Sequence, residues 1–89
     1  MVLFVIILST MINTSYDLNQ TQTIMSRFKS IKQWNCDLED EDKVLRIIST
    51  REISSTLIAE FRKAGVSTQI MEVFKKTEDS KIKVSKNSE

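Results

Sequence analysis

The sequence predicts an α+β domain in which four antiparallel strands form one sheet and two helices cover one of its faces. Three observations carry this expectation. A continuous apolar run opens the chain at Val2–Leu8, and two helical stripes of apolar residues lie farther along. Between those stripes, Trp34 to Ile48 reads as an antiparallel hairpin. Trp34, Cys36 and Leu38 alternate with polar residues, four acids follow at Glu39–Asp42, and Val44, Leu45, Ile47 and Ile48 resume the apolar pattern. Period-two alternation, a polar break and a β-branched run are the signature of paired strands.

The first strand is expected to be a central one, because Val2–Leu8 has no polar residue to turn toward water. A secretory signal would want a basic residue before the apolar run and a small-residue cleavage site after it; no basic residue precedes the run, and no convincing cleavage site follows it. The run is also far too short to span a bilayer. Asp17 is positioned to cap a first helix beginning at Leu18. Leu18, Thr21, Ile24, Met25, Phe28 and Ile31 recur at three- and four-residue spacing and give that helix one apolar stripe. Arg27, Lys29 and Lys32 fall where cations complement a helix C-terminus, and read equally as a weak anion patch or a solvated end.

The hairpin strands are expected at Gln33–Leu38 and Lys43–Ser49. Ser49 and Glu52 have capping-box spacing for a second helix over Thr50–Ala64, with Ile53, Leu57, Ile58, Phe61 and Ala64 facing inward. Gly65, the only glycine, stands where a left-handed residue stops a helix. Val66–Phe74 is the last strand, carrying Ile70, Met71, Val73 and Phe74. The resulting βαββαβ order is the ferredoxin-like, or split βαβ, arrangement. Right-handed crossovers give the spatial strand order 4-1-3-2.

Length allows one domain. Residues 1–74 are expected to form it, and residues 75–89 to be a disordered charged tail, since only Ile82 and Val84 are apolar there. The chain carries a net charge of +1. The tail has five lysines against three acids, which leaves the domain slightly acidic and without an electrostatic footprint for nucleic acid. There is one cysteine and no histidine. A lone cysteine excludes an internal disulfide and fits the cytoplasm. The missing histidine removes the commonest metal ligand and general base, so no enzyme activity, cofactor or membrane association is expected.

Other proteins of this architecture leave marks that are missing here. RNA-binding sheets stack bases on aromatics of the central strands, whereas the third strand has no aromatic and the first only Phe4. No arginine follows the first strand, as an acylphosphatase-like site would require. No glycine lies in the loops where an amino-acid-binding regulatory domain would use it.

Trp34, Asp37, Leu38, Glu39, Asp40, Asp42, Lys43, Val44 and Leu45 together resemble the middle of a heavy-metal-associated domain, a metallochaperone-like family. Cys36 stands at that family's usual core valine. Ile58, Phe61, Ala64, Gly65 and Val66 resemble its second-helix end, so the likeness spans roughly Phe28–Ile70. The resemblance implies the fold just described. It also implies, for metal-binding members, a CxxC between first strand and first helix, whose thiolates grip soft ions such as Cu(I). Ser30-Ile31 stand at the family's Gly-Val position, and counting back from them without gaps puts the two cysteines of the motif at Thr14 and Asp17. The loop Met11–Asp17 contains no cysteine at all.

The expectation is therefore a degenerate, non-catalytic relative without metal, monomeric or weakly homodimeric, serving as a protein-interaction module. The alternative is a copper- or zinc-handling protein using Met11 or Cys36 in a non-standard site. Cys36 reads first as a small core residue, since one thiol without histidine makes no soft-metal site. Trp34 reads as a half-buried strand residue rather than an exposed binding aromatic, and Met25 as core. Glu39–Asp42 read as a solvated turn, because calcium loops space their oxygens and bend around glycine.

Overall fold

A computed structural model describes residues 2–77. The elements are β1 (Val2–Thr10), α1 (Ser15–Ser26), β2 (Ile31–Asp37), β3 (Val44–Ser49), α2 (Ser54–Lys63) and β4 (Thr68–Thr77). The sheet runs β2-β3-β1-β4 and every neighbouring pair is antiparallel. This is the expected ferredoxin-like order, with β1 between β3 and β4. Ile6, Leu8, Leu45 and Ile47 point from the central strands into the core. There they meet Ile24 and Met25 of α1 and Leu57 and Phe61 of α2. The alternate residues of β1, Leu3, Val5 and Ile7, belong to the opposite face.

The helix starts differ from the sequence reading. α1 begins at Ser15, and Thr14 rather than Asp17 is its N-cap: the Thr14 hydroxyl accepts the Asp17 N–H at 3.0 Å. Asp17 sits in the first turn, where a carboxylate also suits the dipole. The helix ends at Ser26, because Arg27 and Phe28 turn back onto Ile24 and Met25 carbonyls. This frees Ile31 to pair with Ser49. Phe28 and Ile31 still pack against the core, since a tight turn preserves their side of the stripe. Arg27 pairs with Glu60 of α2 at 3.0 Å, an exposed bridge of small energetic weight.

The expected capping box at Ser49 and Glu52 does not form. Ser49 ends β3, where its hydroxyl donates to Ser30 and accepts the Arg51 N–H, both at 3.1 Å. A serine hydroxyl serves a local turn as readily as a helix end. α2 accordingly starts at Ser54 behind Ile53, which supplies no side-chain cap. At the other end, Gly65 has φ +83°, a conformation that other residues adopt only with strain. Leu38, expected to continue the alternation of β2, lies beyond the strand and is 41% exposed.

The boundary at residue 74 also moves. Lys75, Lys76 and Thr77 continue β4 opposite Phe4, Leu3 and Val2. Their side chains are exposed, but ladder pairing is made by the backbone and is indifferent to their charge. The remainder of the expected tail lies outside the described residues. A chain ending at Phe74 should therefore melt lower than one ending at Thr77. Each kcal/mol lost corresponds to roughly 4–8 °C in a domain of this size. Equal melting temperatures in a thermal scan would mean that the three extra pairs contribute nothing.

Candidate functional site

The carboxyl end of β1 is the place where this architecture gathers loops. Two segments close around it. The β2–β3 turn folds back, with the Thr10 N–H donating to the Asp42 carbonyl at 3.0 Å and the Thr10 hydroxyl to the Lys43 carbonyl at 2.7 Å. The α2–β4 link approaches from the other side, where its Ser67 carbonyl accepts the Met11 N–H at 3.1 Å. Ile12 follows, buried in the core, and anchors the loop that leads into α1.

Thr14 and Asp17 come together here, each side chain joined to the backbone. The Thr14 hydroxyl accepts from Asp17, and the Asp17 carboxylate accepts the Asn13 N–H at 3.0 Å. Both side chains thereby satisfy amides that the start of a helix leaves without partners. The pair offers only hard oxygen atoms, already engaged, and no thiolate. A shallow depression beside it is lined by Ile12, Asn13, Thr14, Leu18, Leu38 and Lys43. A soft cation has no matching donor there, and Lys43 adds positive charge.

Met11 is 60% exposed and lines a separate depression with Glu41, Asp42 and Ser67. Cys36 lines neither. It lies half-buried on β2, packed against the core, and pairs with Leu45 across the ladder. Burial and the neighbouring Asp37 carboxylate push its thiol up from the ordinary value of 9.0, against an opposing pull from Lys43. A raised thiol pKa keeps the group protonated at neutral pH, the form that is neither nucleophile nor ligand. Trp34 packs half-buried against the core as expected, and Met25 is core.

Two acids at the β2–β3 turn, Asp37 and Asp40, are occupied with the turn itself. The Asp37 carboxylate accepts the Glu39 N–H at 3.1 Å, and that of Asp40 accepts the Asp42 N–H at 2.8 Å. Such Asx turns are local backbone mimics. Among the described residues no three histidines, cysteines or acids are grouped closely enough to hold a metal ion. Lys43, expected to open the second hairpin strand, instead adopts φ +47° to close the turn before β3, and its ammonium donates to the Leu38 carbonyl at 3.1 Å. A bulky residue at positive φ gives no local sequence signal. Among the described residues no helix is long and apolar enough to cross a membrane.

No protein-family model matches the chain, and no curated protein matches it. Solved structures do. The copper(I)-loaded first domain of the human copper chaperone for SOD1 superposes with a TM-score of 0.65 at 11% identity, over 81% of this chain and 97% of that one. The N-terminal domain of ZntA in its Zn(II) form gives 0.66 at 10% identity, over 80% and 96%. The N-terminal domain of PacS from Synechocystis PCC6803 gives 0.62 at 7% identity, over 76% and 97%. Identities this low speak for the shared backbone alone, and on that backbone the chain is a small domain with the fold of the heavy-metal-associated domains.

Proposed function

We propose that the chain is a non-catalytic cytoplasmic domain that keeps the heavy-metal-associated scaffold, has lost metal binding, and serves as a protein-interaction module. The observation that carries this reading is the use of Thr14 and Asp17. The two positions that the resemblance gives to metal thiolates hold backbone amides instead, Thr14 that of Asp17 and Asp17 that of Asn13, at 3.0 Å each. The lone thiol stands apart on β2, where burial and the Asp37 carboxylate raise its pKa.

The test is metal competition. The reduced protein, titrated against a chromophoric Cu(I) or Zn(II) chelator, is expected to leave the metal with the chelator. Stoichiometric transfer to the protein would overturn the reading. The second reading, metal handling through Met11 or Cys36, rests on the exposure of Met11 at the loop end. It predicts transfer that disappears in Met11→Leu or Cys36→Ser.

A further inference from the structure

β4 is an edge strand with an unusual surface. Ile70, Met71 and Phe74 are 49%, 51% and 42% exposed, and among the described residues no strand lies outside them. Edges of this kind are normally blunted by charge, bulges or proline. The other edge, β2, is blunted: its ladder with β3 slips at Lys32, and Gln33, Asn35 and Asp37 are polar and exposed. β4 has one irregularity, where Ile7 pairs with Glu72 but Leu8 with Ile70, leaving Met71 as the extra residue. From Glu72 to Thr77 its pairing with β1 is regular.

Within that regular stretch Glu72, Phe74 and Lys76 share one face. They pair with Ile7, Val5 and Leu3, on the side of the sheet away from the helices. All three are exposed, and neither Glu72 nor Lys76 joins an ion pair among the described residues. The run Glu72-Val73-Phe74-Lys75-Lys76 is self-complementary about its central phenylalanine when laid antiparallel on a copy of itself. Phe74 then meets its twin, and Glu72 lies opposite Lys76 of the other copy, twice by symmetry. Val73 lies beside the aliphatic stem of Lys75.

Other registers lack this match. A centre at Glu72 or Lys75 puts like charges face to face. A centre at Val73 sets Glu72 against Phe74 and leaves Lys76 without an acid. A two-fold axis perpendicular to the sheet passes through one residue pair, and Phe74 is the position that satisfies charge and aromatic pairing together.

We propose that two copies of this chain associate through antiparallel pairing of their β4 edges, centred on Phe74, to give a continuous eight-stranded sheet. The partner is a second copy because the charge sequence fits itself in this register. Five residues per copy bury less than the roughly 1,200 Å² of a standard interface, so the dimer is weak and forms at high micromolar concentration. Its exposed charge pairs are screened by salt.

Sedimentation velocity on the full chain, run over a series of protein concentrations, tests this. The wild type is expected to shift from monomer to dimer as concentration rises. Glu72→Lys and Lys76→Glu each turn two attractions into two repulsions and should weaken self-association on the order of tenfold. The decisive sample is an equimolar mixture of the two variants. Glu72→Lys carries lysine at both positions and Lys76→Glu carries an acid at both, so the mixture should pair to at least the wild-type extent. Far-UV circular dichroism establishes that each variant is folded. A wild type that stays monomeric at every concentration, single reversals without effect, or folded variants that fail to pair when mixed would each overturn the proposal.

Discussion

Phe61→Ala is expected to cost about 3–5 kcal/mol of folding stability, the range for a large aromatic removed from a packed core. Phe61 is fully buried in the last turn of α2, and its carbonyl accepts the Val66 N–H at 2.9 Å. Its backbone thus holds the turn where Gly65 redirects the chain toward β4. Ile6 and Leu8 of β1, Leu45 and Ile47 of β3, and Leu57 of α2 belong to the same core cluster. These are rigid elements pinned by ladder hydrogen bonds, so the site cannot collapse cheaply around a cavity. A domain of this size has a total margin on the order of 5–10 kcal/mol, and the variant should be near the edge of folding. Urea denaturation gives the measurement: the midpoint should fall while the slope stays constant. Phe74→Ala is the contrast, because Phe74 is 42% exposed at the sheet edge and supports little monomer core. A loss below about 1 kcal/mol for Phe61→Ala would place that side chain outside the core, contrary to the usual cost of such a deletion.

The parts of the fold that were legible in the sequence are those written in periodicity. The apolar run of β1, the alternation of Trp34 and Cys36, and the stripes through Leu57 and Phe61 each specify a face, and burial follows faces. The parts misread are those written in single polar residues. Asp17, Ser49 and Glu52 carry groups that can serve a helix end, a turn or a neighbour, and only the surrounding backbone decides. The length of β4 was hidden for a related reason. Lys75, Lys76 and Thr77 read as tail, yet Val2–Phe4 stand opposite and need backbone partners. At the candidate site the sequence showed that the loop Met11–Asp17 contains no cysteine. The hydrogen-bonded arrangement found there was not legible, because it depends on Thr14 being the cap and Asp17 lying in the first turn.

The proposed reading of Thr14 and Asp17 is open to a direct test. Thr14→Cys with Asp17→Cys is expected to create a Cu(I) site in a protein that otherwise leaves the metal to a competing chelator. The two positions are three residues apart across the start of α1, and hydrogen bonds at 3.0 Å already bring each side chain to a main-chain amide there. Free amides and the positive end of the dipole lower a thiol's pKa and favour the thiolate, which Cu(I) prefers to the oxygen donors it would displace. The cost falls on both halves of the present arrangement. Losing the Thr14 cap removes about 1 kcal/mol. Losing the Asp17 contact to Asn13 removes a charge-assisted bond of roughly 1–2 kcal/mol more. The variant should still fold, at a lower melting temperature, and metal should restore part of the loss because it binds only the folded form. Asn13→Cys with Tyr16→Cys, shifted by one residue, is the register control. Tyr16 is 65% exposed, and the shifted pair should bind more weakly. Tighter binding by the shifted pair would show that the ungapped count is off by one. No gain in either folded variant would mean that the loop never had the shape to grip a soft ion, and that the likeness to metal-binding domains ends at the backbone.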